Sequence, residues 1–217
     1  TCTTPECTSD SISVPVFGTV SVTVQDTTEL VQPGLNVYAF NGTTYTGFHA
    51  VTGSDGIALL TLPEGSYRFR ADTHGKQYYS STANDCTVPA CTAASVTVPV
   101  FGDVTVSVVS TAGTAQVDLP VYVFNDTTYT GYSARTGQDG LAAFTLPEGD
   151  YRFRTDLYGT QYFSDSSNHC SVPSCTAASI TTPVYGAVTI SVVDSSANPL
   201  TSVPVYAFNG TTYTGRN

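Results

Sequence analysis

Apolar and polar positions alternate with a period of two through most of the chain, which is the signature of half-buried β-strands rather than helices. In TVSVTVQD, residues 19–26, Val20, Val22 and Val24 share one face while Thr19, Ser21 and Thr23 share the other. The same alternation predicts strands over LNVYAF (35–40), TTYTGFHAV (43–51), IALLTLP (57–63), SYRFRAD (66–72), QYYSS (77–81) and ASVTVPV (94–100). Turn residues punctuate them. Asn41-Gly42 reads as a two-residue hairpin, GSDG (53–56) as a second turn, and Glu64-Gly65 as the tip of a further hairpin. No helix of any length is expected. Seven short strands, each with one apolar face, are covered most economically by packing two sheets face to face as a β-sandwich.

This pattern recurs. Phe17–Val100 and Phe101–Val184 align without a gap and are identical at 49 of 84 positions. A third copy opens at Tyr185, and residues 1–16 match 85–100. Self-similarity at a fixed period signals an array of like modules. The expected organisation is therefore the tail of one repeat (1–16), two full repeats (17–100 and 101–184), and the start of a third (185–217). Only PVFG separates the last strand of one copy from the first of the next. A link this short, with a proline and no Gly/Ser tract, cannot behave as a flexible coil. Neighbouring modules are expected to abut end to end in a stiff rod.

The outermost fragments raise a further expectation. The third copy stops after TTYTG and lacks strands that would cover its own, which would leave apolar edges open. The chain then reads either as a window on a longer array or as a subunit completed by its neighbour. For the second case, Ser11, Ile12, Ser13, Val14 and Val16 form an orphan closing strand that another copy could accept.

Charge and cysteine content narrow the partners. A net charge of −10 and a pI near 4.3 repel phosphate backbones and anionic lipid, so nucleic acid is not an expected partner. No run is long and apolar enough to span a bilayer, and no leader peptide is visible, so the segment reads as a mature or interior piece. Six cysteines form three C-x4-C pairs: Cys2/Cys7, Cys86/Cys91 and Cys170/Cys175. Local pairing is favoured, because corresponding cysteines of neighbouring copies should lie a module apart while a disulfide needs α-carbons within about 7 Å. Each small ring would stabilise its module by ~2 kcal/mol. Two thiolates per copy without a recurring histidine fall short of the four ligands of a structural zinc site, so no metal or other cofactor is expected. Disulfides imply an oxidising, extracellular or cell-surface setting.

Comparing the copies also tests for chemistry. His49 aligns with Ser133, His74 with Tyr158, and His169 with Asp85. No histidine recurs, so no repeated Ser/His/Asp set can be assembled; the histidines read as solvated loop residues and the chain as no enzyme. Charges kept in both full copies are Asp55/Asp139, Glu64/Glu148, Arg68/Arg152, Arg70/Arg154 and Asp72/Asp156. The first two pairs fall in turns, and the arginines are expected to make cross-strand ion pairs on an outward face. Lys76 is the only lysine, so Lys–Asn cross-links cannot recur. Asn41-Gly-Thr, Asn125-Asp-Thr and Asn209-Gly-Thr satisfy N-x-[ST], the acceptor pattern for N-linked sugar; the plainer reading is an Asn-Gly turn that happens to precede threonine. Tyr38, Tyr45 and Tyr78 recur as well, as a carbohydrate platform, a lateral contact surface, or aromatic cross-strand pairs.

The stretches ANPLTSVPVYAF (197–208), TGSDGIALLTLPEGSYRFRADTHG (52–75) and TGQDGLAAFTLPEGDYRFRTDLYG (136–159) resemble carboxypeptidase regulatory-like domains. The likeness covers nearly the whole module, although the C-x4-C ring and QPGLNVYAF depart from that pattern. It implies an all-β fold: tandem Ig-like or transthyretin-like β-sandwich modules of about seven strands, acting as non-catalytic spacers. The expected function is a structural segment of an extracellular filament or surface stalk whose partners are copies of itself, end to end or laterally, and covalent glycans. The alternative is an adhesin or carbohydrate-binding spacer of a larger secreted protein.

Overall fold

The computed structural model describes residues 12–215, so Cys2, Cys7 and Ser11 lie outside the described residues. The chain divides into two compact units, one running to Thr182 and one beginning at Pro183. The first unit contains two modules of identical topology.

In the first module, β1 (Phe17–Asp26) sits between β4 (Ile57–Pro63) and β8 (Ala93–Val98) in a three-stranded sheet. β1 runs antiparallel to β4 and parallel to β8. The facing sheet has the order β3 (Thr44–Val51), β2 (Asn36–Asn41), β5 (Gly65–Thr73), β6 (Lys76–Tyr79), and the short β7 (Cys86–Val88) pairs with the start of β5. The second module repeats this with β9 (Phe101–Ser110), β10 (Pro120–Asn125), β11 (Thr128–Arg135), β12 (Leu141–Pro147), β13 (Gly149–Leu157), β14 (Thr160–Phe163), β15 (Cys170–Val172) and β16 (Ala177–Thr182). Each module therefore has eight strands, the seven read from alternation and a three-residue strand inside the cysteine loop.

Alternation translates directly into burial. Val20, Val22 and Val24 are fully enclosed, facing Val37, Ala39, Leu62, Phe69 and Val96 from both sheets. The second core gathers Val104, Val106, Val108, Val121, Phe153 and Ile180 in the same places. Burying a side chain of this size stabilises by roughly 1.5–3 kcal/mol, so each row of three valines is a major part of its module.

Two expectations about turns are corrected. The residue pairs Asn41↔Thr44 and Asn125↔Thr128 close the β2–β3 and β10–β11 hairpins, so the two-residue loop is Gly42-Thr43, not Asn41-Gly42. Gly42 has φ +59° and Asp126 φ +51°, placing the left-handed residue first in the loop. Glu64-Gly65 is no hairpin either: β4 pairs with β1 while β5 pairs with β2, so the chain crosses here from one sheet to the other. Leu62 and Tyr67, on either side of the crossing, are both buried in the core between the sheets. The Tyr67 hydroxyl donates to the Pro63 carbonyl at 2.9 Å and braces the corner; Tyr151 does the same to Pro147 at 3.0 Å.

The second unit is described by itself. It holds a hairpin of β17 (Phe208–Asn209) and β18 (Thr212–Tyr213) and a bridge between Val193 and Pro199. Tyr213 packs against Tyr206 and Phe208 at 5.7 Å in each case, as Tyr45 packs against Tyr38 at 5.7 Å and Phe40 at 5.6 Å. The hairpin and its rings are thus encoded locally.

Candidate functional site

The two cysteine loops among the described residues are closed as the spacing suggests. Cys86–Cys91 and Cys170–Cys175 are disulfides with α-carbons 5.2 Å apart. Cys86 and Cys170 are buried at the edge of the core, and the amide of Cys91 donates to the Thr87 carbonyl at 2.7 Å. Each ring closes the loop that follows the short β7 or β15 strand, which is itself paired with the start of β5 or β13.

The outward face of the five-stranded sheet is a second packed layer. Arg70 lies over Tyr38 at 4.8 Å and Phe40 at 4.9 Å, and Arg68 over Tyr79 at 4.4 Å. Arg154 and Arg152 repeat this over Tyr122, Phe124 and Phe163. The expected cross-strand ion pairs are absent here: Arg70 pairs with Asp72 at 2.8 Å and Arg154 with Asp156 at 3.0 Å, each two residues along its own strand. Arg152 reaches across instead to backbone, donating to the carbonyls of Asp126 at 2.8 Å and Ser166 at 3.1 Å. Tyr38 and Tyr45 take the plain aromatic-pair reading, while Tyr78 is half-buried against the core rather than exposed.

Asp55 and Asp139 also have backbone roles, accepting from the amides of Ile57 at 3.1 Å and Leu141 at 3.0 Å. Ser164 and His169 deserve comparison with a nucleophile and base, since Ser164 Oγ lies 2.6 Å from His169 Nε2. Ser164 Oγ already accepts from the Phe153 amide at 2.9 Å, and Ser80 does so from Phe69 at 3.0 Å beside Asp85, with no histidine. The serine is a strand clip in both modules. Among the described residues no cluster of three or more His, Cys, Asp or Glu is placed to hold a metal ion.

The arrangement that sequence reasoning missed lies between the two modules. β8 ends at Val98 and β9 begins at Phe101, with two residues between them. Three contacts bridge the gap. The His74 ring stacks on Phe101 with centroids 3.9 Å apart; Lys76 Nζ lies 5.0 Å from the Tyr132 ring; Thr27 Oγ1 donates to Glu148 Oε2 at 2.9 Å. Burial raises the pKa values of the Tyr78 and Tyr132 hydroxyls, and Tyr132 adds to the rise at Tyr78 across the junction. His74 is an exposed turn residue, as expected, but its ring has a partner in the next module. Its backbone has φ +48° at the β5–β6 turn, which carries the ring out over the next module. A cleft of about 280 Å³ beside it is lined by Asp26, Gln32, Thr73, His74, Pro99 and Phe101. The available signal was the aromatic residue opening every copy: Phe17, Phe101 and Tyr185.

The candidate acceptor asparagines Asn41, Asn125 and Asn209 are exposed at hairpin ends. Ile12, Ser13, Val14 and Val16 are exposed and in no strand, and Ile12 is 93% accessible. The carbonyl of Val16 accepts from the Glu64 amide at 2.6 Å, as that of Val100 does from Glu148 at 2.7 Å, so the chain leads into both modules alike.

No protein-family model and no curated protein matches the chain. Among solved structures it is similar to the minor pilin GBS52 of Streptococcus agalactiae, at 11% identity and a TM-score of 0.42 over 82% of this chain and 99% of that one. It is similar to the shaft pilin SpaA of Lactobacillus rhamnosus GG at 10% identity and a TM-score of 0.38, over 80% and 100%. The TIE protein of Bacillus anthracis matches at 15% identity and a TM-score of 0.31 over 77% of this chain, which spans 34% of that protein's length. The described residues are all-β, built of two-sheet β-sandwich modules, and the resemblance to carboxypeptidase regulatory-like domains is carried by the quoted motifs alone.

Proposed function

We propose that this chain is a structural, non-catalytic segment of an extracellular filament or surface stalk, formed by stacking disulfide-stapled modules head to tail. One observation carries the reading: the trailing end of the first module, Thr27, His74 and Lys76, meets the leading end of the second, Phe101, Tyr132 and Glu148, across a two-residue link. Such a head-to-tail contact uses different surfaces on its two sides, so the same contact can recur from each module to the next. The disulfides support an oxidising, extracellular location, and the partners are further copies of the module, by stacking or by donation of the strand at residues 11–16. Small-angle scattering of the whole chain tests this. Stacked modules give a profile of fixed separation, and His74→Ala with Phe101→Ala broadens it. A wild-type profile of freely hinged modules would falsify the proposal.

A second reading, an adhesive or carbohydrate-binding spacer, is favoured by Tyr45 and Tyr129, whose rings stay 43% and 45% exposed. Specific binding of the whole chain to immobilised glycans would put it first.

A further inference from the structure

We infer that the chain carries one N-linked glycan per module, on Asn41, Asn125 and Asn209. The backbone explains the middle residue of each sequon and leaves the other two unexplained. The loop needs a left-handed residue after the asparagine, supplied by Gly42, Asp126 and Gly210 at φ +59°, +51° and +60°. Nothing in that turn requires threonine next. Thr43, Thr127 and Thr211 are exposed, and none of their hydroxyls takes part in a hydrogen bond among the described residues. The asparagines lack a shared structural task too. Asn41 Oδ1 accepts from Asn84 Nδ2 at 3.3 Å, whereas Asn125 Nδ2 donates to the Asp150 carbonyl at 3.1 Å. What the three copies have in common is therefore asparagine and threonine two apart, with the intervening residue free to change, which is the form of the acceptor signal.

Exposure suits the chemistry. All three asparagines end a strand at an exposed hairpin tip, and none takes part in the three junction contacts. The co-reactant is an oligosaccharide on a lipid diphosphate, delivered by the host's transferase. Asparagine Nδ2 forms a bond to sugar C1, the C1–O bond to the diphosphate breaks, the lipid diphosphate departs, and one amide proton is lost. A glycan at every tip would shield the neighbouring Tyr45, Tyr129 and Tyr213 faces at the same point in each module.

This inference rests on the extracellular reading above, and its test separates the two. Glycopeptide mass spectrometry on the chain from its native host should find sugar on the amide of Asn41 and Asn125. Expressed in that host, Asn41→Gln and Thr43→Ala should each lose the first-module glycan, while Thr43→Ser keeps it. Because the Thr43 hydroxyl has no partner, Thr43→Ala should keep wild-type hydrogen-exchange protection, which excludes misfolding as the cause. Bare Asn41 and Asn125 in native material, or sugar on the Thr43 hydroxyl, overturns the inference. Native filaments whose acceptor asparagines are bare would sink it while leaving the structural function standing.

Discussion

The two full modules share every strand pairing yet close their first loop with different chemistry. In the first, the buried Asp26 carboxylate collects four donors: the Thr28 amide at 2.8 Å and hydroxyl at 2.7 Å, the Leu30 amide at 3.1 Å, and Gln32 Nε2 at 3.1 Å. In the second, Ser110 takes that place and receives the amides of Ala112 at 3.3 Å and Thr114 at 3.2 Å. The third copy returns to aspartate, with Asp194 accepting from Ser196 and Asn198. The loop's backbone path is kept whether its anchor is a charge or a hydroxyl. What stays fixed is the ladder beneath it, where Thr52 and Thr136 each bridge the carbonyl of Gln32 or Gln116 and the amide of Leu35 or Leu119. Fold is held by the alternating rows and the bridging threonines, and local stability is tuned above them.

Hydrogen exchange on the whole chain reads each module separately, so the comparison can be pushed until it breaks. The largest effect should come from the core. Phe69→Ala and Phe153→Ala each empty a fully buried site and should cost about 4 kcal/mol. Phe153 also packs against Phe144 at 5.8 Å, where the first module has Leu60, so its loss should be the greater. If Phe69→Ala lowers protection in the second module as well, the junction couples the two energetically. If it does not, they fold as independent neighbours.

The anchoring loop should give a smaller effect, visible in its pH dependence. The Thr28 hydroxyl, joined by the amides of Thr28 and Leu30, holds the Asp26 carboxyl below its ordinary range against the opposing pull of burial. A depressed native pKa adds stability that is complete above the unfolded value of about 3.9 and is lost as pH falls through the native one. Asp26→Ser, which installs the second module's anchor, should cost on the order of 1 kcal/mol at neutral pH. It should also flatten the first module's acid-induced loss below about pH 4. An unchanged acid profile would show that the donors do not stabilise the charged form.

The smallest effect should be at Arg135, which pairs with Asp118 at 2.5 Å and holds that carboxyl low. Both groups are largely exposed, and solvent screens such a pair. Arg135→Val, the first module's residue, should leave the midpoint of the second module unchanged in a thermal melt.

Much of this architecture was legible in the sequence because burial follows period-two alternation. The valines of β1, the turn at 53–56 and the cysteine rings are all local features. The β4–β5 crossing was not legible, since one glutamate between two strands looks like a hairpin until the partners of each strand are known. Pairing of β1 with β8, some seventy residues apart by their register, leaves no local trace. The junction was hidden for the same reason. His74 varies between copies and Phe101 looks like a surface aromatic until the fold brings one module's β5–β6 turn against the next module's first strand. Candidate acceptor asparagines were legible as a motif, whereas the idleness of the neighbouring threonine hydroxyls needed coordinates.

The parallel pairing of β1 and β8 has a mechanical meaning. The chain comes into the first module through β1 and leaves through β8, and the two strands lie side by side from Ser21↔Ala93 to Asp26↔Val98. Tension applied to the backbone therefore slides one strand past the other, loading the bonds of that ladder together instead of peeling them apart one at a time. A thread drawn through such a module meets its strongest resistance along the line of pull.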